Sequence, residues 1–263
     1  MVRASHRITE YQRLLSEDES LGSVKRAIEL VRGGLDDLID PKSGRSLVVR
    51  FDGGSTVSGK PLVELIDPSF VDQLRAAGRA RKDARSTHPR LRTLATETSA
   101  GLALVAAVAS SEAGLTKARC SLLLDSCVVL AHHAYFALLP RLDDAALDQE
   151  KRLFLTALHH FANSLNAAAD RFSLLALYFD AMGQSASAME ARRAALAATP
   201  SEAHEFMTIL QDAWSFLIER GIARDALELL LDTYPRVPRR DLEELNHLIR
   251  ETFNHVVPRN GQR

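Results

Sequence analysis

The chain has 263 residues, of which 46% are hydrophobic, and it carries a formal net charge of −1 at pH 7. A chain of this length folds as one large domain or two small ones, and this apolar fraction is sufficient for a sizeable core. Because the charges nearly balance, no global field favours nucleic acid, an anionic membrane or an acidic ligand. Recognition of a partner must therefore come from local features of the chain.

Neither the cysteines nor the first residues point to secretion. Cys120 and Cys127 are two helical turns apart on one predicted helix, about 10 Å by helix rise, which is too far for a disulfide. Residues 1–17 are polar and lack the apolar segment of a signal peptide. The apolar run at residues 100–109 is too short to cross a bilayer and is typical of a core helix. We therefore expect a cytoplasmic protein that contacts no membrane.

Residues 1–89 are predicted to form an amino-terminal region. Two helices are expected there, at about residues 7–15 and 21–39, and the second has an apolar stripe interrupted only by a glycine pair. Residues 46–66 contain two β-rich runs around a glycine-rich loop, which predicts a small β-hairpin. The loop has the spacing of a phosphate-binding loop, but Pro61 stands where a hydroxyl would bind Mg²⁺, so we interpret it as a flexible glycine loop.

A basic segment at residues 75–92 ends this region. Helical phasing places four of its cations on one side, as candidate contacts for the phosphates of a nucleic acid: Arg75, Arg79, Lys82 and Arg85. No aromatic residue is available to stack on bases, and no groove-reading motif accompanies the charge. A solvated connector that ends at the predicted boundary, Pro89, is the simpler interpretation.

Residues 90–257 are predicted to form a helical domain, followed by a disordered tail at 258–263. Helices are expected at residues 91–113 and at 117–139, where Pro140 would end the second. Residues 143–168 are amphipathic and are expected to pack on the preceding helix as an antiparallel hairpin. The apolar stripe of this third helix consists of Leu147, Phe154, Leu158, Phe161 and Leu165.

Histidines are the candidate metal ligands of this domain. They occur as two pairs, at residues 132–133 and 159–160, while Glu244 and His247 have the spacing of half of a di-iron site. Adjacent helical residues point about 100° apart, so one pair seldom supplies both rings to a metal, and the second Glu-x-x-His is missing. We predict no metal, no cofactor and no catalytic residue. A metal-binding helical enzyme is the least favoured alternative.

An internal repeat organises the rest of the domain. Three landmarks recur after 38 residues, so that Gly183, Ala188 and Pro200 correspond to Gly221, Ala226 and Pro238. Each copy is predicted to be a helix, a glycine turn, a second helix and a proline stop. Such hairpins cannot bury their apolar faces alone and gain a continuous core by stacking on neighbours.

The first copy resembles the tetratricopeptide repeat. Residues 175–200 follow the motif Leu-Ala-x-x-Phe-x-x-x-Gly-x-x-x-x-Ala-x-x-x-x-x-x-Ala-Leu-x-x-x-Pro. The second copy departs from it at Thr233 and Tyr234, where the motif has alanine and an apolar residue, and the period exceeds the family's 34 residues. Over residues 169–240 the resemblance implies a mainly α fold, built as a right-handed α–α superhelix of helical hairpins.

The resemblance also implies a function. In that family the first helix of each hairpin lines a groove that holds a peptide or helix of another protein. By position, the groove residues here are Ser173, Leu177, Asp180, Gln211, Ser215 and Ile218. They lack the Lys/Arg/Asn clamp that binds an acidic C-terminal carboxylate, whereas Leu177 and Ile218 favour an apolar contact such as an amphipathic helix.

The sequence therefore indicates a non-catalytic interaction module, acting as an adaptor or a regulatory subunit. Three alternatives stay open besides the metal-binding enzyme. The groove side chains could instead pack against the chain's own amino-terminal helices, the chain could associate with a copy of itself, or it could be a nucleic-acid-associated factor that uses residues 75–92.

Overall fold

The computed structural model describes residues 17–38, 68–81, 88–110 and 117–256. Every regular element in these ranges is helical, which confirms the α class. The helices are α1 (Glu17–Asp36), α2 (Pro68–Arg81), α3 (Pro89–Ser110), α4 (Lys117–His133), α5 (Asp148–Ser164), α6 (Ala168–Ala181), α7 (Ser185–Ala198), α8 (Phe206–Glu219), α9 (Ala223–Thr233) and α10 (Leu242–Val256). The predicted helix at 7–15, the β-hairpin at 46–66 and the tail at 258–263 lie outside the described residues.

Helix α1 begins four residues before the predicted start and ends at Asp36. Its apolar stripe is buried as expected and packs against α3 and α4. The helix runs unbroken through Gly33 and Gly34. A Cβ atom at Gly34 would lie 3.0 Å from Leu123 Cδ1, so the missing side chain is what lets α4 approach closely.

The segment after α4 differs from the prediction. The α-helix ends at His133, and the chain continues through a π-helical turn at Ala134–Leu138 and a 3-10 turn at Leu139–Leu142. Pro140 lies at the start of the 3-10 turn instead of ending the helix, because the first turn of a helix does not use the N–H that proline lacks.

Helix α5 buries its predicted stripe but packs on a different partner. All five stripe residues are at most 4% exposed. The main contact of α5 is with α3, so the predicted pairing with the preceding helix is wrong. The alanine-rich surface of α3 admits close approach. In addition, Arg92 of α3 forms an ion pair with Glu150 of α5, whose side chain is fully buried.

Two helical stretches, Pro89–Ser110 and Ser121–Leu142, are long and apolar enough to cross a membrane by length and composition. Each has 22 residues, so the apolar run at 100–109 belongs to a longer helix than the run alone indicates. In the most apolar window of each stretch, 78% and 44% of the residues are buried inside the protein. Core helices pass the same test, and the location of the protein stays a prediction.

The repeat appears as two helical hairpins in matching register. The first helices begin at Ala168 and Phe206 and the second helices at Ser185 and Ala223, each pair separated by the repeat length of 38 residues. Both turns place a glycine at positive φ, 70° at Gly183 and 71° at Gly221. The predicted order of helix, glycine turn and helix is therefore confirmed in both copies.

The described residues form two hydrophobic clusters. One contains the buried residues of α1 and α3–α6 together with Phe70 of α2. The other joins α7, α8, α9 and α10. Helices from both sides of Pro89 thus share the first cluster, although the division into two domains at that residue stays a prediction.

Candidate functional site

A cavity of about 320 Å³ lies between α6 and α8, and we call it the α6–α8 cavity. Residues of α7, the loop at 199–205, the last turn of α4 and the π-helical turn complete its lining. Much of that lining is apolar and includes Phe136, Leu177, Ala195 and Ile209. Alanines at several lining positions leave the space open, since a larger side chain at any of them would occupy it.

Two of the residues inferred from the family resemblance line this cavity. Ser173 is partly exposed there, whereas Leu177 is only 4% exposed and also belongs to the first hydrophobic cluster. Asp180, the third inferred residue on α6, does not line the cavity. Its carboxylate accepts a hydrogen bond from the Tyr135 hydroxyl at 3.0 Å and forms ion pairs with Arg192 and Arg220.

The three residues inferred on α8 do not line the cavity. Gln211 donates to Glu244 of α10 at 2.5 Å, Ile218 packs against the second hydrophobic cluster and Ser215 is partly buried. Instead α8 presents Thr208, Ile209 and Asp212 to the cavity. The reason is that α10 contacts the predicted face of α8, and there the Trp214 indole N–H donates to Thr252 at 2.8 Å.

The structure describes the candidate phosphate contacts only in part. Arg75 and Arg79 belong to α2, whereas Lys82 and Arg85 lie outside the described residues. The nucleic-acid interface therefore stays a prediction.

Asp170 is one of two carboxylates in the cavity lining that have no cationic partner in the described part of the chain. It lies in the first turn of α6 and has no hydrogen-bond or ion-pair partner within the described part of the chain. Burial raises its pKa above the ordinary 3.8, and the nearby carboxylates of Asp125 and Glu205 add to the increase. The neighbouring His132 acts in the opposite direction.

His132 lines the cavity as a neutral ring. Its Nδ1–H donates to the carbonyl oxygen of Val128 at 2.9 Å, because a carbonyl can only accept. Burial lowers the pKa of the imidazole below 6.5. The neutral ring therefore leaves Nε2 as an acceptor.

Arg192 is the cationic group among the described lining residues, and two carboxylates surround it. Its Nε donates to Asp212 at 2.8 Å, and a second nitrogen is 3.8 Å from Asp180. The guanidinium carbon also lies 4.0 Å from the centroid of the Phe216 ring, a cation–π distance. Since Arg192 is only 3% exposed and already paired, it offers little positive charge to a ligand.

The histidines do not assemble a metal centre in the described residues, where no group of three or more His, Cys, Asp or Glu side chains is arranged to hold an ion. His159 stacks against Tyr178 with ring centroids 4.6 Å apart, and His247 pairs with Glu251 at 3.8 Å.

Comparison with protein-family models, with curated proteins and with solved structures finds no match to this chain.

The groove prediction missed most of the polar lining residues, among them His132, Asp170, Glu205 and Asp212. The repeat motif does not specify these positions. His132 lies on α4, outside the repeat, and Asp170 lies in the first turn of α6. Glu205 lies in the loop before α8, and Asp212 lies on a face of α8 next to the predicted one. An acidic residue in the first turn of α6 was the available signal, and it is equally typical of an ordinary helix start.

Proposed function

We propose that the protein is a non-catalytic interaction module, an adaptor or regulatory subunit, that binds a segment of another protein in the α6–α8 cavity. The two hairpins and α10 would form a short right-handed superhelix of the tetratricopeptide type. Support comes from the matched hairpin register and from α10, which begins near the position of a third first helix.

The observation that carries the proposal is the composition of the cavity. It has apolar side chains from four elements, which suits the side chains of a docked segment. Three carboxylates line it (Asp170, Glu205, Asp212) against one guanidinium, which is already paired. By charge complementarity, the segment that fits best is apolar and basic, and not acidic.

A peptide selection on the full chain tests this proposal. A random peptide library displayed on phage is selected against the immobilised protein, and enriched peptides are measured by fluorescence anisotropy. Ala169→Trp places an indole in the cavity, because Ala169 lines it and is partly exposed. Ala197→Trp is the matched control, since Ala197 lies on α7 but is exposed and outside the lining.

We expect enriched peptides that combine basic and apolar residues. Their affinity should fall about tenfold or more with Ala169→Trp, equivalent to about 1.4 kcal/mol, and stay unchanged with Ala197→Trp. Equal affinity for both variants would contradict the proposal. If no peptide binds but single-stranded RNA does, with an affinity that falls steeply with salt, the nucleic-acid alternative would replace it.

A further inference from the structure

The polar groups that line the α6–α8 cavity are almost all acceptors. Asp170 and Glu205 are carboxylates without a cationic partner in the described residues, and His132 keeps an acceptor nitrogen. Two donors are already used: Arg192 pairs with carboxylates, and the Thr199 hydroxyl donates to the carbonyl of Ala195 at 2.8 Å. A ligand group therefore meets acceptors and negative charge.

The two remaining hydroxyls in the lining do not change this excess of acceptors over donors. Ser173 and Thr208 can each donate or accept. The Thr208 oxygen is buried and makes no hydrogen bond within the described part of the chain. It could therefore donate to or accept from a ligand that reaches it.

The charged side chains that only donate at neutral pH are those of lysine and arginine, and the indole of tryptophan offers a single uncharged donor. An ammonium or guanidinium group fills acceptor sites and neutralises charge at the same time. An acidic or phosphorylated side chain would instead place like charges together at a partly desolvated site, which is unfavourable.

We infer that the α6–α8 cavity is the pocket for one basic side chain of the partner segment. Its ammonium or guanidinium group pairs with Asp170, and its methylene stem packs against Leu177, Ala195 and Ile209. This inference rests on the proposed function and names the side chain that the interaction recognises.

Asp170 is the principal ionic contact because it has no cationic partner in the described residues and burial penalises its charged form. An ionised carboxylate that is largely removed from water and unpaired is unfavourable, and a bound cation would offset that penalty. Asp212 already accepts from Arg192, and 39% of its side chain is exposed, so a new cation would gain less there.

Small probes test the pocket directly by NMR on the full chain. The charged probes are n-butylguanidinium and n-butylammonium, and the control is N-butylurea, which has nearly the shape of the first but no charge. Methyl signals of Ala195 and Leu177 report binding. Asp170→Asn removes the proposed ionic contact, and Asp232→Asn is the matched control, because Asp232 is exposed on α9 and outside the cavity.

We expect saturable shifts with both charged probes and none with N-butylurea at the same concentration. Asp170→Asn should weaken n-butylguanidinium about tenfold or more, as expected when a charged hydrogen bond at a partly buried site is lost, and Asp232→Asn should not. Equal response to N-butylurea, an unchanged affinity in Asp170→Asn, or no binding of any probe would overturn the inference.

The two proposals can fail separately. If the probes do not bind while selected peptides still bind and are blocked by Ala169→Trp, the basic-side-chain pocket is wrong and the interaction module stands. If the probes bind as described but no peptide does, the pocket takes a small free organic cation, and both the partner segment and the interaction function are wrong.

Discussion

Arg192 is the residue that joins the two parts of the helical core. It lies on α7, it pairs with Asp180 of α6 and Asp212 of α8, and its guanidinium lies over Phe216. Asp180 also accepts from Tyr135 of the π-helical turn, so one charged network connects the first hydrophobic cluster to the second. Burial and the neighbouring Asp180 carboxylate raise the pKa of the Tyr135 hydroxyl, so that the hydroxyl stays protonated and donates.

Arg192→Met is expected to lower the free energy of unfolding by about 3 kcal/mol, because it leaves Asp212 without its cation and Asp180 with Arg220 alone. The loss should lie at the low end for a buried ion pair, since Asp212 is 39% exposed and is screened by water. Urea unfolding followed by circular dichroism measures it. The neighbouring exposed Arg193→Met is the control, and an equal loss in both variants would contradict this role.

Asp170 predicts a pH dependence of binding. Several titratable or charged groups face it: Asp125 and His132 from α4, Glu205 from the loop, Arg192 from α7 and Asp212 from α8. Because the pKa of Asp170 is raised, it protonates above pH 3.8 as the solution is acidified, and a cation then loses its partner. As the pH is lowered, affinity for n-butylguanidinium should therefore fall at a higher pH than the one at which an ordinary aspartate titrates.

The same raised pKa fixes the sign of the effect on stability. Asp170 contributes stability that is fully present below pH 3.8 and is lost as the pH rises through its folded-state pKa. At neutral pH, Asp170→Asn should therefore not destabilise the protein, apart from about 0.5 kcal/mol lost at the start of α6. A drop of more than about 2 kcal/mol in urea unfolding would show that Asp170 has a stabilising partner.

Only part of the candidate site could be predicted at this scale. Ser173 and Leu177 were found because the repeat motif fixes which face of α6 points away from its hairpin partner. Asp170 was missed and His132 was considered only as a metal ligand, because their importance here comes from burial and from one another, and neither is visible in a local pattern.

At the scale of elements, the two glycine turns explain why the hairpins match. In the first turn the N–H groups of Gly183 and Gln184 donate to the carbonyls of Asp180 and Phe179, at 2.9 and 2.8 Å. In the second, Gly221 and Ile222 donate in the same pattern, each at 2.9 Å. Both are Schellman caps, in which the glycine adopts the left-handed conformation that other residues avoid.

Gly183→Ala is expected to cost about 1 kcal/mol, because a Cβ atom is strained at a φ of 70° even though no neighbouring atom lies within 4 Å of it. Gly33→Ala is the control, since Gly33 also has open space but lies inside α1. There alanine should stabilise by about 0.5–1 kcal/mol through its higher helix propensity. Urea unfolding that gives the same sign for both variants would contradict the account.

Secondary-structure elements could be predicted where residues close together in the sequence determine them. The turns at Gly183 and Gly221 and the buried stripe of α5 follow from backbone freedom and from apolar spacing. The partner of α5 was mispredicted because the packing joins residues far apart in the sequence, such as Arg92 and Glu150, which are 58 residues apart. Sequence periodicity shows that a face is buried, but not against which helix.

At the scale of the whole molecule, the described helices form two stacked cores joined through the α6–α7 hairpin. Leu174 and Leu177 of α6 belong to the first cluster, whereas Met189 and Leu196 of α7 belong to the second. The α6–α8 cavity lies where the two clusters meet. A segment bound there would contact both, which places the proposed interaction at the junction of the molecule.

The central claim is that this junction binds a partner through a basic side chain. The most direct test is a double-mutant cycle with a selected peptide, in which its basic residue is replaced by norleucine and the peptide is measured against the wild type and Asp170→Asn. If the two groups pair, each single change should weaken binding about tenfold, and the second change should add little once the first is made. Losses that simply add would show that the basic residue binds elsewhere and would contradict the account.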